Sequence, residues 1–182
     1  MPTHPRNPSS ELAAAMPPSL WLAGALGRFL RDVTVVRWAG EPELLVAMPI
    51  GVRFGAVELD AGTGLELLDV LLAGHAPYRV GPVLSDTRTE RTYWLTPPED
   101  DGGWTEPHPQ ARLLPAGTRI AMPDPTPGTD NRHWPVRWAH WPAVNGTLSA
   151  HPWLRSLLYD APGPGGRRSH RPQQCSPSRP DH

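Results

Sequence analysis

Arg53-Phe54-Gly55-Ala56-Val57-Glu58-Leu59-Asp60-Ala61-Gly62-Thr63-Gly64-Leu65-Glu66-Leu67-Leu68-Asp69-Val70-Leu71-Leu72-Ala73 is the stretch on which the fold turns. Phe54 to Leu59 reads as a strand, because successive side chains of a strand point to opposite faces. Phe54, Ala56 and Glu58 then share one side, and Val57 and Leu59 the other. Gly62 and Gly64 predict the turn that follows. Thr63-Gly64-Leu65-Glu66 has the pattern of a capping box, in which hydroxyl and carboxylate satisfy free amides at a helix start. Leu65, Leu68 and Leu72, joined by Leu71, give that helix an apolar stripe, and Gly74 is placed to end it. Asp60 would stand at the carboxyl end of the strand, where ligands gather in sheets flanked by helices.

Upstream, Pro18-Ser19 suits a first helical turn, and Leu22, Leu26, Phe29 and Leu30 fall on one helical face. Gly24 and Gly27 weaken that helix by roughly 1 kcal/mol each. Val33 to Trp38 is β-branched and predicts a strand. Glu41-Pro42 breaks it, and Leu44 to Met48 predicts another. Downstream, Val80 to Leu84 and Arg91 to Leu95 read as strands joined by a polar loop from Asp86 to Glu90. Glu99 to Gly103 reads as an acidic loop, and Thr118 to Met122 as a short strand closed by Pro123. Trp134 to Trp138 reads as an edge strand, where Pro135 is tolerable. His151 to Tyr159 predicts a last helix. The expected class is α+β, with a small mixed or mainly antiparallel sheet and two to three helices. One strand-helix-strand unit starts at Phe54.

Composition bounds the rest. The 182 residues include 25 Pro and 17 Gly, and the Pro crowd at Pro2 to Pro18, at Pro97 to Pro142 and after Pro162. That predicts one core, residues 18–160, between a disordered Pro-rich arm (1–17) and a disordered Arg/Pro-rich tail (161–182). Formal net charge is −1, so no global field draws the chain to nucleic acid or an acidic membrane. All 17 basic residues are Arg. The absence of Lys removes Schiff-base and P-loop chemistry. Cys175 is the single cysteine, which excludes disulfide frameworks and Cys-based zinc sites within one chain. No apolar run reaches the ~20 residues of a membrane span, and no signal-peptide core opens the chain. A cytoplasmic location, with no membrane partner, is expected.

Few residues carry chemistry. Glu58 and Asp60, two apart on a strand, face the same side. Paired carboxylates there could hold Mg²⁺ or Mn²⁺ through oxygen ligands, and such a metal could orient a nucleoside triphosphate. The ordinary alternative is a solvent-facing strand edge and a turn aspartate. Gly62-Thr63-Gly64 lacks the third glycine of a dinucleotide fingerprint, since Leu67 stands in its place. His133-Trp134-Pro135 recurs as His140-Trp141-Pro142, a spacing that fits no metal site. Trp134, Trp138 and Trp141 could stack on bases or close the end of a small core. Arg167, Arg168 and Arg171 in the tail could touch phosphates, with steep salt dependence.

The order of elements resembles a known family. From about Ala56 to Trp138 the chain is similar to the bifunctional DNA primase/polymerase (prim-pol) domain of the archaeo-eukaryotic primase superfamily. It is more similar still to short, divergent actinobacterial members. The likeness rests on Val57-Glu58-Leu59-Asp60-Ala61-Gly62-Thr63-Gly64-Leu65-Glu66-Leu67-Leu68, on Gly81-Pro82-Val83-Leu84 and on Thr92-Tyr93-Trp94-Leu95-Thr96-Pro97-Pro98. It continues in Ala116-Gly117-Thr118-Arg119-Ile120-Ala121-Met122-Pro123, a closing Trp-containing strand and His151-Pro152-Trp153-Leu154.

The resemblance implies a metal-binding Asp-x-Asp pair, which falls on Glu58 and Asp60. It implies a phosphate-binding His, which falls close to Thr92, and a third acid near Ala111 to Leu114, where Arg112 stands instead. Two of three catalytic components are therefore missing. The expectation is a degenerate prim-pol-like domain, inactive or weak as a nucleotidyltransferase. It would bind nucleotide or single-stranded nucleic acid through Arg91, Thr92, Arg112 and Arg119, with Arg53 nearby, or serve a replication protein. The alternatives are an interaction module built on the Trp/Pro-rich 134–153 surface and an active primase/polymerase.

Overall fold

The computed structural model describes residues 16–74, 77–98, 109–126 and 131–160. The elements in chain order are α1 (Pro18–Ala23), α2 (Arg28–Gly40), β1 (Val46–Pro49), β2 (Gly55–Asp60), α3 (Ala61–Ala73), a 3-10 turn (Pro77–Arg79), β3 (Val83–Asp86), β4 (Arg91–Thr96), β5 (Ala111–Leu113), β6 (Arg119–Met122), β7 (Val136–His140) and α4 (His151–Asp160). The class is α+β, and the sheets are antiparallel throughout. β5, β2, β4, β3 and β7 lie side by side in that order, and β1 pairs with β6 in a separate two-stranded sheet.

β2 and β3 both run against β4, which lies between them. They are therefore parallel to each other, and α3 is the crossover of a split β-α-β unit. This is the strand-helix-strand unit expected at Phe54. The five-stranded sheet is buried on both faces. Val57, Leu59, Val83 and Trp94 pack under Leu68 and Leu71 of α3 and Leu154 and Leu158 of α4. On the other face Ala56, Leu84, Leu95 and Trp138 pack against Trp21 and Leu22 of α1, Trp38 of α2, and Met48, Ile120 and Met122 of the small sheet. Burial of this kind contributes about 25 cal/mol per Å² of apolar surface.

Several local expectations are corrected. There are four helices among the described residues, and Val33 to Trp38 belongs to one of them. Its β-branched run favours a strand only weakly. Thr34 and Trp38, four apart, are buried on one helical face, and Trp38 Nε1 donates to the Leu44 carbonyl at 2.9 Å. Packing of that indole outweighs propensities of a few tenths of a kcal/mol per residue. The long helix expected from Pro18 through Leu30 breaks at Gly24–Gly27, which leaves Phe29 and Leu30 exposed.

The start of α3 also differs. Asp60, not Thr63, is its N-cap, accepting from Gly62 N at 3.1 Å. Gly62 and Gly64 therefore lie in the first turns of the helix. Gly64 is there for closeness: a Cβ at this position would collide with Thr92 Oγ1 and stand 3.0 Å from Thr92 Cβ. Gly74 ends the helix as expected. β7 is an edge strand, with Pro135 just outside it. Met16, assigned to the arm, packs against the core. Residues 1–15 and 161–182, with Arg167, Arg168, Arg171 and Cys175, and the loop from Glu99 to Gly103 lie outside the described residues. No helix among the described residues is long and apolar enough to cross a membrane.

Candidate functional site

Register decides what the acidic strand end faces. Directly opposed residues of an antiparallel pair share a sheet face. Glu58 pairs with Tyr93 on one side and Arg112 on the other, and Asp60 pairs with Arg91. Beyond the apolar cover of α1, α2 and the small sheet, this face turns polar: Arg112, Glu58, Asp60, Arg91 and Asp86 come together. Arg112 Nη2 donates to both Glu58 carboxylate oxygens, at 3.2 and 3.1 Å. Arg91 reaches both acids, with Nε 3.9 Å from Glu58 and Nη1 3.6 Å from Asp60.

An open groove of about 610 Å³ lies at this strand end, lined by Glu58, Leu59, Asp60, Arg91, Pro109, Gln110, Ala111 and Arg112. The backbone locks its rim. Ala61 N donates to the Glu90 carbonyl at 3.0 Å, and Glu90 adopts a left-handed conformation, φ 55°, to present it. Asp60 N approaches the Gln110 carbonyl at 3.4 Å. Both arginines are exposed enough to exchange partners: their side chains are 44% and 68% accessible, against 17% for Glu58. Pairs of this exposure contribute about 0–1 kcal/mol, so an anionic ligand could displace a carboxylate from either guanidinium cheaply.

Next to the groove, Asp86 is clamped by Arg88. It accepts from Arg88 N and Nε at 2.9 Å each and from Nη2 at 2.7 Å. That side-chain pairing, ahead of the opposing effect of burial, holds the Asp86 carboxyl below its usual range. Burial pushes the neighbouring Tyr93 phenol up.

Not every anticipated residue arrives here. Thr92 pairs with Leu59, so it faces α3, fully buried beneath Gly64 on the side of the sheet away from Glu58. It cannot touch a ligand in the groove. Arg119 lies on β6, where it donates to the Ala47 carbonyl at 3.3 Å. Arg53 sits over the Trp21 ring at 5.8 Å. Neither lines the groove. Conversely, β5 and its lead-in Pro109-Gln110 were not anticipated, nor was the Asp86–Arg88 clamp. Asp86-Thr87-Arg88 carried a signal for the clamp, since an aspartate often bonds the backbone two residues on.

Among the described residues, no group of three or more His, Cys, Asp or Glu could hold a metal ion. Glu58 and Asp60 already face guanidinium groups, which a divalent cation would have to displace. His133 is exposed. His140 is half-buried and bonded to the Val80 backbone, and burial holds its ring below the usual imidazole range. The tryptophans mostly close the core. Trp138 is buried and meets Trp141 edge-on at 4.8 Å, and Trp141 meets Trp21 at 5.9 Å. Compared with family models, curated proteins and solved structures, the chain matches none.

Proposed function

We propose that this chain is a non-catalytic prim-pol-like domain that binds the phosphates of a nucleotide or single-stranded nucleic acid in the groove beside Glu58 and Asp60, in a replication-accessory role. The observation that carries the reading is that Arg91 and Arg112, two exposed guanidinium groups on the strands either side of β2, line one groove of ligand size. Planar guanidinium forks suit phosphate. Glu58 and Asp60 hold them in place when no ligand is bound. Catalysis by two-metal phosphoryl transfer has little support, because Arg112 stands beside Glu58 where a third acid would be needed and Thr92 faces away.

The test is titration of the purified full chain with labelled single-stranded DNA at two salt concentrations. Two phosphate contacts give a log–log slope of about −1.4, so raising salt from about 50 to about 200 mM should weaken binding about sevenfold. Replacing Arg91 and Arg112 together by Ala should abolish that dependence. Absence of binding at low salt, or binding that ignores both substitutions, sinks the reading. Template-dependent nucleotide incorporation with Mg²⁺ or Mn²⁺, lost in Asp60→Ala, would show instead that the domain is an active polymerase.

A further inference from the structure

Helix α2 is apolar on two sides. Thr34 and Trp38 anchor it to the body. Away from the body, Phe29, Val33 and Val36 are 78%, 40% and 73% exposed, with Leu30 beside them at 55%. A helix lying on a protein surface ordinarily turns a charged face to water. Here the outward residues Phe29, Val33, Val36 and Gly40 are spaced four, three and four apart, which is the a/d rhythm of a coiled-coil seam. At 3.6 residues per turn they fall within about 60° of one another, with Trp38 on the opposite side. A Cβ added at Gly40 would meet nothing within 4 Å.

The flanking charges select a partner. With Val33 and Gly40 at a and Phe29 and Val36 at d, Asp32 takes a g position and Arg37 the next e position. In a parallel pair g of one helix faces the following e of the other, so Asp32 meets Arg37 of a second copy, twice by symmetry. An antiparallel pair would set Asp32 against Asp32. Both side chains are more than half exposed. Their present partners are the neighbouring Arg31 and, at 4.0 Å, Glu41, surface pairs worth little. Residues 161–182 contain no Val, Ile, Leu, Met, Phe, Trp or Tyr, and residues 1–15 hold only Met1 and Leu12 as large apolar side chains. Residues 1–15 and 161–182 therefore offer little to cover the stripe.

We propose that two copies of this chain pair through α2 as a short parallel coiled coil, with Phe29, Val33, Val36 and Gly40 forming the seam and Asp32–Arg37 bridges on both flanks. From Phe29 to Gly40 the seam runs only about 16 Å. A seam this short gives a reversible dimer whose population depends on concentration. The inference stands apart from the groove and does not depend on its ligand.

Sedimentation velocity on the full chain from about 1 to about 100 μM tests it. A concentration-dependent dimer is expected, lost in Phe29→Asp and in Val36→Asp. Gly40→Leu should tighten it. Asp32→Arg and Arg37→Asp should each weaken it about tenfold, and the two together should restore it. In a Cys175→Ser background, Val36→Cys should cross-link to itself on oxidation, as d faces d in a parallel pair. Monomer throughout the range, or a dimer indifferent to both apolar replacements, overturns the seam. A dimer that the double charge reversal fails to restore overturns the parallel pairing. Positions 29, 32, 36, 37 and 40 are exposed, and unchanged thermal unfolding of each variant at low concentration separates lost pairing from lost folding.

Discussion

Replacing Gly64 by Ala probes the contact that sets α3 on the sheet. In an exposed helix the change stabilises by about 1 kcal/mol. At Gly64 the new methyl group would overlap Thr92 Oγ1, with Thr92 Cβ at 3.0 Å and Cγ2 at 3.3 Å. Thr92 cannot retreat. It is fully buried on β4, which is bonded to β2 and β3 on its two sides, and a β-branched side chain has little χ1 freedom. Overpacking of this kind costs about 1–3 kcal/mol, so after the helical gain a net loss of up to about 2 kcal/mol is expected. For a domain of this size that lowers Tm by up to about 6 °C. Gly62 is the internal control. It is exposed, its added Cβ meets only Asp60 Oδ1 at 3.4 Å, and Gly62→Ala should raise stability by up to about 1 kcal/mol. Thr92→Ala removes Oγ1, a buried hydroxyl with no hydrogen-bond partner, and Cγ2, leaving only Cβ near the new methyl group. In a double-mutant cycle by urea unfolding it should recover most of the Gly64→Ala loss, a coupling of about 1–2 kcal/mol. If Gly64→Ala is as stable as Gly62→Ala, or Thr92→Ala gives no rescue, the close approach of helix and strand is wrong. Thr92 could then belong to the groove after all.

Two further outcomes follow from the same geometry. The Asp86 carboxyl, lowered by its bonds to Arg88, contributes stability that is complete above its unfolded pKa of about 3.9 and is lost as pH falls through the folded value. His140, lowered by burial, likewise contributes above about 6.5 and loses that contribution as acid favours a charged ring in the unfolded chain. Urea midpoints between pH 7 and pH 3 should therefore fall in two limbs, the upper flattened by His140→Gln and the lower by Asp86→Asn; a single limb untouched by His140→Gln would refute the assignment. Asp60→Ala should destabilise by about 1 kcal/mol through loss of the α3 cap, whereas Asp60→Asn, which keeps the acceptor, should cost a few tenths. Equal losses in the two variants, read by thermal unfolding, would show that charge and not capping is what Asp60 supplies.

The parts of the fold that were legible are those in which local pattern and burial agree. Phe54 to Leu59 is apolar at every position but Glu58 because it crosses a core covered on both faces, and Leu68 and Leu71 keep helical spacing because α3 covers one of those faces. The parts that were not legible are those in which a distant partner decides. Val33 to Trp38 carries β-branched residues, yet the Trp38 indole is held by a carbonyl beyond the end of its helix. β5 has three residues and exists because β2 offers an unpaired edge. Thr63 had the chemistry of a cap, but Asp60 lies closer to the first free amides once the strand has ended.

The site turned on the same distinction. Glu58 and Asp60 share a face by the period of a single strand, and a strand shows its period in its own sequence. Which residues of β4 and β5 join them depends on register, and a one-residue shift moves every side chain to the other face. Thr92 opposite Leu59, and not opposite Glu58, is therefore under α3, while Arg91 and Arg112 arrive beside the acids. The consequence is electrostatic. Two carboxylates facing water could attract a cation, but the register sets Arg91 against both of them and Arg112 against Glu58, which makes the strand end charge-balanced. A charge-balanced groove favours a ligand that trades one anion for another. The proposed phosphate exchange at Arg91 and Arg112 rests on this balance, which a divalent metal at Glu58 and Asp60 would have to break.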